Sequence, residues 1–148
     1  MSEQRDLRVL IVEDEAGDAR LTQLALQKCG FAVDTSVALE GLEALQLLRR
    51  QGERFRHAQR PDLILLDLKM TGLGGLGFLV AVKEDDQLCS IPVVIVTSSQ
   101  LDADVLDAYR CGAAGYVRKS ADFGEFLAGI RILGQYWFHL ARLPVNLG

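Results

Sequence analysis

The stretch Leu63-Ile64-Leu65-Leu66-Asp67-Leu68, introduced by Pro61 and left through Lys69-Met70, decides the fold of this chain. A strand with one wet face alternates apolar and polar residues. A strand that is apolar at nearly every position is covered on both faces, the condition of an interior strand in a parallel α/β sheet. Its shortness fits a strand better than a helix, and the proline marks its start. It ends on a carboxylate, Asp67. Working outward, Leu7–Val12 closes on Glu13-Asp14, Val93–Val96 follows Pro92 and closes on Thr97, and Tyr116–Arg118 at the end of Ala114–Arg118 leads into Lys119. Phe31–Val37 reads as a further strand with no such polar end.

Segments of helical period separate these runs. Ala16–Cys29 repeats Leu21, Leu24, Ala25 and Cys29 at three- and four-residue steps, with Gly30 as its C-cap. Leu39–Arg50 carries Leu42, Ala44, Leu45 and Leu48; Leu76–Asp85, Ala103–Arg110 and a long Asp122–Leu143 follow the later strands. Strict βα alternation implies a parallel sheet with right-handed crossovers and helices on both faces. The second strand lacks a polar end, which suits an edge position in the order 2-1-3-4-5, where the first and third strands flank the switch point. The expectation is a doubly wound, flavodoxin-like (βα)5 domain over residues 1–148, with a core of about 7–134 and an extended C-terminal helix and tail over 135–148.

The whole chain narrows the function classes. At 148 residues, 49% apolar and 24% charged, it has the profile of a globular domain. The net charge of −4 gives nothing that favours nucleic acid or an anionic membrane. Its apolar runs fall far short of the roughly 20 residues that span a bilayer. The polar start Met1-Ser2-Glu3-Gln4-Arg5-Asp6 lacks a signal-peptide core, so the expected location is the cytoplasm. Cys29, Cys89 and Cys111 are odd in number and unspaced for metal, and read as reduced thiols.

In such a sheet, the strand carboxyl ends share one edge, and ligands bind in the crevice outside it. Glu13, Asp14, Asp67, Thr97 and Lys119 would therefore meet. Converging carboxylates need a counter-charge, and Mg²⁺ suits one or two of them with water and phosphate oxygens. In this reading Asp67 is the nucleophile that forms an acyl phosphate. Asp14 and Glu13 bind the metal, helped by the backbone carbonyl of Lys69. Lys119 stabilises the transferred oxygens, and Thr97 bonds to the phosphoryl group. Drawn inward, Thr97 vacates space into which Tyr116 could swing. Each residue alone has an ordinary reading, as helix cap, turn residue or solvated charge; the ordered set on separate strand ends is what points to chemistry.

Together IVEDE, LILLDLKM, VVIVTSS and GYVRKS resemble the receiver domain of two-component response regulators, over nearly the whole chain. The resemblance implies phosphorylation of Asp67 from a histidine kinase's phosphohistidine, a Mg²⁺ requirement, slow self-catalysed hydrolysis, and a Thr97/Tyr116 switch. It implies a stand-alone receiver that acts on no external substrate. The chain departs from the family pattern at several points. Ser120 stands where proline commonly follows the lysine, and Met70-Thr71-Gly72-Leu73-Gly74-Gly75 replaces the usual loop, which should be more flexible for its glycines. Ser98 follows the threonine, and Lys69 lies two residues past Asp67. Lys119-Ser120, the polar insert Gly52–Pro61, the Thr97-Ser98-Ser99 run and Tyr136-Trp137-Phe138 before Leu143-Pro144 are similar to the small receivers paired with bacterial phytochromes. The implied partner is a light-sensing histidine kinase.

On a wheel of 100° per residue, Phe123, Phe126, Leu127, Ile130, Leu133 and Trp137 form the stripe that docks on the sheet. Ile132, Tyr136 and Leu143 fall on another face, with Leu140 between. With Trp137 they form the expected interface of a two-fold homodimer; the alternative is a tail folded back at Pro144 within one chain. The insert residues Arg54, Phe55, Arg56, His57 and Arg60 read as a solvated loop. Competing functions are an aspartyl-phosphate phosphohydrolase, which usually has a second acid where this chain has Lys69, and a receiver-like module that works without phosphorylation. A flavin site is disfavoured because Glu13-Asp14-Glu15 would repel its phosphate.

Overall fold

The structure is a computed structural model, described here for residues 6–144. Five parallel strands form one sheet, β1 (Leu7–Val12), β2 (Val33–Ala38), β3 (Leu63–Leu66), β4 (Val93–Thr97) and β5 (Gly115–Arg118), in the order β2-β1-β3-β4-β5. The helices are α1 (Ala16–Lys28), α2 (Gly41–Leu48), α3 (Gly52–Phe55), α4 (Gly74–Glu84), α5 (Asp102–Arg110) and α6 (Phe123–Gly134), followed by a π-helical turn, Gln135–Leu140. No helix among the described residues is long and apolar enough to cross a membrane.

Why β3 is apolar throughout is visible in the two cores. Ile64 and Leu66 pack with Leu10, Val12, Phe78, Leu79 and Ile95 on the side of α2 and α4. Leu63 and Leu65 pack with Val9, Ile11, Leu26, Val94 and Ile130 on the side of α1 and α6. Every residue of β3 is buried. Edge strand β2 alternates half-buried and exposed positions, as a strand with one wet face must. The register Val12↔Leu66 sets Glu13 beside Asp67, and Ile95↔Tyr116 sets Thr97 beside Arg118, one residue before Lys119. The shared edge is thus built by backbone pairing before any side chain is placed.

Local differences from expectation have physical causes. In α1 the buried stripe is Ala19, Thr22, Ala25 and Leu26, and Leu21 faces solvent; two three-residue-spaced phases fit the sequence, and packing on the sheet selects one. Leu42 of α2 is likewise exposed. The insert is not a simple solvated loop. It contains α3, whose Phe55 is buried beneath the Arg54 guanidinium, 4.7 Å from the ring centre. Arg50 donates to the Ala58 carbonyl, Arg54 to Glu43, and Arg60 to Gln87 and Ser90, so these arginines bind the insert and its flanks to the body.

The last helix is the main departure. Rather than running α-helically to Leu143, the chain changes at Gly134 to the wider π turn, closed by Ala141 N donating to the Tyr136 carbonyl at 2.6 Å. A Cβ on Gly134 would lie 2.1 Å from the Phe31 ring, so glycine admits that ring against the backbone. Phe138 and His139 then meet Phe31 edge-on at 5.1 and 5.4 Å. A 100° wheel does not hold through such a turn. Of the expected dimer residues, Ile132, Tyr136 and Leu140 are exposed, Trp137 is half-buried against the core of its own chain, and Leu143 is buried. Leu143 is therefore removed from the exposed residues an interface needs: it lies beyond the helix and is buried within its own chain.

Candidate functional site

Asp67 follows β3 directly, its amide donating to the Val12 carbonyl at 3.0 Å, so the sheet fixes its backbone. The next helix is brought close by Gly75: a Cβ there would sit 2.5 Å from the Asp67 carbonyl oxygen and the Leu68 Cα. Gly72 and Gly74 hold φ of 70° and 76°, a region that side chains avoid. The loop's glycines thus meet a conformational requirement as well as loosening the unfolded chain.

The Asp67 carboxylate is buried and well furnished. Oδ1 accepts from Thr97 Oγ1 at 2.7 Å and from the Lys69 amide at 3.0 Å, and Oδ2 accepts from Lys119 Nζ at 3.2 Å. Burial works to raise its pKa, but the bonds from Lys69 and Thr97 and the Lys119 charge outweigh that and hold the carboxyl below its ordinary value. A carboxyl so placed is ionised and held in one orientation at neutral pH, the state a nucleophilic carboxylate needs. Thr97, the fully buried end of β4, is held by the register, and its carbonyl accepts from the Lys119 amide at 2.6 Å. Two site residues are thereby tied through the backbone.

Lys119 supplies the counter-charge that converging acids require. Its ammonium contacts Glu13 at 2.5 Å, Asp67 at 3.2 Å and Asp18 at 3.3 Å. Burial opposes the charge, yet Glu13 and Asp67 raise its pKa above the ordinary value. Glu13 is buried, and burial, only partly offset by Lys119, pushes its carboxyl up to about 7. Asp14, by contrast, is exposed and accepts a 3.4 Å bond from the Thr71 amide.

Among the described residues no three carboxylate, imidazole or thiol groups form a ready-made metal cage. The donor chemistry nonetheless fits Mg²⁺. It is all oxygen, it comprises Asp14 in the open with Glu13 and Asp67 behind it and the Lys69 carbonyl in the same loop, and Mg²⁺ usually takes only one or two protein carboxylates beside water and phosphate.

Tyr116 is half-buried and donates its hydroxyl to the Ser99 carbonyl at 3.0 Å. The Ser99 hydroxyl donates to Asp104, and the Leu101 amide to Ser99 at 3.4 Å, which ties the start of α5 to the loop after Thr97. Ser98 is exposed. After Lys119 the peptide is trans, as are all peptides among the described residues. Ser120 there takes a capping role: it accepts from the Asp122 amide at 3.1 Å and donates to Glu125 at 2.8 Å, while Asp122 caps α6.

The structure thus gathers Glu13, Asp67, Thr97 and Lys119 into one bonded group and leaves Asp14 at its mouth. Sequence reasoning missed Asp18, Ser99 and Asp104. An acid in the first turn of a helix reads as a complement to the helix dipole, so only its placement beside Lys119 could have marked Asp18.

Comparison with known proteins gives the family of this fold. The family model of the response regulator receiver domain matches residues 9–131. The response regulator Rcp1 of Synechocystis sp. is 32% identical over 136 residues, covering 92% of each chain. The structure of the phosphorylated cyanobacterial phytochrome response regulator RcpA superposes with a TM-score of 0.88 at 33% identity, over 94% of this chain and 99% of that one. The Mn²⁺-bound form of response regulator Rcp1 gives 0.86 at 30% identity, over 94% and 99%. With its βα order, its buried aspartate after β3 and its lysine after β5, this chain belongs to the response regulator receiver domain family.

Proposed function

We propose that the chain accepts a phosphoryl group on Asp67 from the phosphohistidine of a sensor histidine kinase, one that senses light through a phytochrome. One observation carries the reading: a buried, ionised carboxylate accepts bonds from Lys119, Thr97 and the Lys69 amide at 3.2, 2.7 and 3.0 Å. An Asp67 oxygen attacks phosphorus, the phosphorus–nitrogen bond breaks, and the electron pair leaves on the imidazole, which takes up a proton. Lys119 stabilises the transferred oxygens, and the Thr97 hydroxyl turns from the carboxylate to one of them. Glu13, Asp14, Asp67 and the Lys69 carbonyl would hold Mg²⁺, which when bound neutralises charge on the donor phosphate. That the similar RcpA and Rcp1 structures are described as phosphorylated and Mn²⁺-bound supports this reading.

The chain acts only on itself, by gaining and losing this group. The change is read at the β5–α6 face, where Tyr109, Ile132, Tyr136 and Trp137 line an open groove of about 540 Å³ beside Tyr116. We place the homodimer contact there, on exposed Ile132, Tyr136 and Leu140. Sedimentation at tens of micromolar tests it, and a monomer at that concentration rules it out.

The test of the main reading is intact-protein mass after incubation with acetyl phosphate and Mg²⁺. One added phosphate, absent without the metal and absent in Asp67→Asn, is expected. Turnover of varied phosphate esters would instead indicate a phosphohydrolase, and an unmodified protein a phosphorylation-independent module.

A further inference from the structure

The Lys119 ammonium has three N–H donors, and three carboxylates surround it: Glu13, Asp67 and Asp18. The three differ in setting. Glu13 and Asp67 are 6% and 9% exposed in their side chains and lie within the pocket, whereas Asp18 is 43% exposed on the first turn of α1. That turn is anchored, because the buried Thr22 hydroxyl donates to the Asp18 carbonyl at 3.2 Å.

Building on the reading of Asp67 as phosphoacceptor, we propose that Asp18 is a positioning residue for Lys119, a tether that keeps its ammonium at the pocket while the buried carboxylates are in use. In phosphoryl transfer Asp67 becomes an acyl phosphate, and Glu13 is offered to the cation. Both buried partners of the ammonium are then engaged elsewhere. A lysine is a point charge on a flexible four-carbon stem, so it needs an anchor that the reaction does not consume. Asp18 is the remaining carboxylate in contact with it.

The geometry suits a tether better than a trap. The Asp18 contact is the longest of the three, 3.3 Å against 2.5 and 3.2 Å, and the most exposed. Exposed ion pairs are weak. One N–H can therefore stay on Asp18 while the others turn to the phosphoryl oxygens. Asp18 touches neither the attacking nor the leaving atom.

The experiment is Asp18→Asn beside Asp18→Glu, with three readouts. First, saturation kinetics with acetyl phosphate at saturating Mg²⁺ should show the maximal rate constant lowered about fivefold by misorientation. Half-saturation should stay unchanged or fall, because an anion has been removed, and Asp18→Glu should restore much of the rate. Second, Mg²⁺ affinity of the wild type and Asp18→Asn should agree within about twofold, as Asp18 is not a ligand in this proposal. Third, reductive methylation of Lys119, followed by peptide mass, should run about threefold faster in Asp18→Asn because its ammonium is freer.

An unchanged maximal rate overturns the proposal, as does unchanged Lys119 methylation. A large loss of Mg²⁺ affinity also overturns it, by making Asp18 part of the cation site. If the wild type accepts no phosphate, the reading of Asp67 fails, and the tether stands or falls on methylation alone.

Discussion

At the carboxyl ends of β1, β3 and β5 the side chains of Glu13, Asp67 and Lys119 are 6%, 9% and 14% exposed and are joined through the Lys119 ammonium, whereas along α6 and the π turn Ile132, Tyr136 and Leu140 stand 68%, 50% and 77% exposed. The helices beside these regions differ in the same sense. α4, next to Asp67, buries Gly75, Phe78, Leu79 and Val82; α5, next to Tyr116, buries only Ala108 and is tied by the Ser99–Asp104 bond. Close packing makes the first region resist displacement. A lightly packed element costs little to shift. The contrast divides a tightly bonded pocket from a lightly packed surface, and under the proposed function the first would hold the reacting groups and the second respond to them; it can be broken at either end.

The largest effect should come from Lys119→Met. It strands two buried carboxylates, and breaking a buried pair typically costs about 3 kcal/mol or more. Urea unfolding at pH 8 should show that loss, and acetyl phosphate should no longer label Asp67. At pH 5 the loss should shrink, because Glu13, with its pKa raised to about 7, then takes up a proton and no longer needs the ammonium. Equal losses at both pH values would mean that the two carboxylates are not electrostatically joined through Lys119.

Next come two glycines, one in each region. Gly75→Ala drives a Cβ to 2.5 Å from backbone atoms of Asp67 and Leu68, which cannot yield without moving Asp67. Overpacking of this kind costs about 1–3 kcal/mol, and phosphorylation should slow with it. Gly134→Ala meets the Phe31 ring first, a side chain rather than backbone. Its cost should be recovered largely by Phe31→Leu in the same chain, and phosphorylation should be little changed. A Gly134→Ala variant that impairs labelling as much as Gly75→Ala would erase the distinction between the regions.

What the sequence made legible follows the same line. The strands, their order and the residues at their ends could be read because a doubly covered strand must be apolar, and the polar residue that follows it stands out. Tyr116 could be placed but not its bond to Ser99, since a backbone carbonyl leaves no mark in sequence. The π turn was illegible: residues 135–140 satisfy a 3.6-residue period well enough, and only the Phe31 ring against Gly134 reveals the change. Leu143 was misplaced as a direct consequence. Phe55 hid in a charged insert, where four residues are too few for a period. Asp18 was one acid among several, and its contact with Lys119 depends on a tertiary approach.

A smaller effect is expected from pH. With the metal chelated, Glu13 has its pKa raised from 4.5 to about 7, so the folded chain holds a proton there that the unfolded chain has lost. The stability from this shift is fully present below pH 4.5 and is lost as pH rises through about 7. Asp67 is shifted the other way, and its contribution is lost only as pH falls below its ordinary value of 3.8. Urea midpoints between pH 5 and 8 therefore isolate Glu13. The wild type should decline across that window relative to Glu13→Gln, which has no such proton to lose. Parallel curves would show that Glu13 is ionised throughout and held by Lys119 alone.

The smallest change in stability should accompany Ile132→Arg at the open face. Its side chain is 68% exposed, and surface substitutions usually stay within about 0.5 kcal/mol. The urea midpoint at low protein concentration should hardly move, and labelling of Asp67 should match the wild type. Sedimentation should nevertheless shift to monomer from the homodimer proposed above, because an arginine facing its own two-fold copy would set like charges together across that contact. Were Ile132→Arg to unfold the chain or abolish labelling, the β5–α6 face would be part of the same tightly packed body as the pocket, and the separation of chemistry from surface would fail.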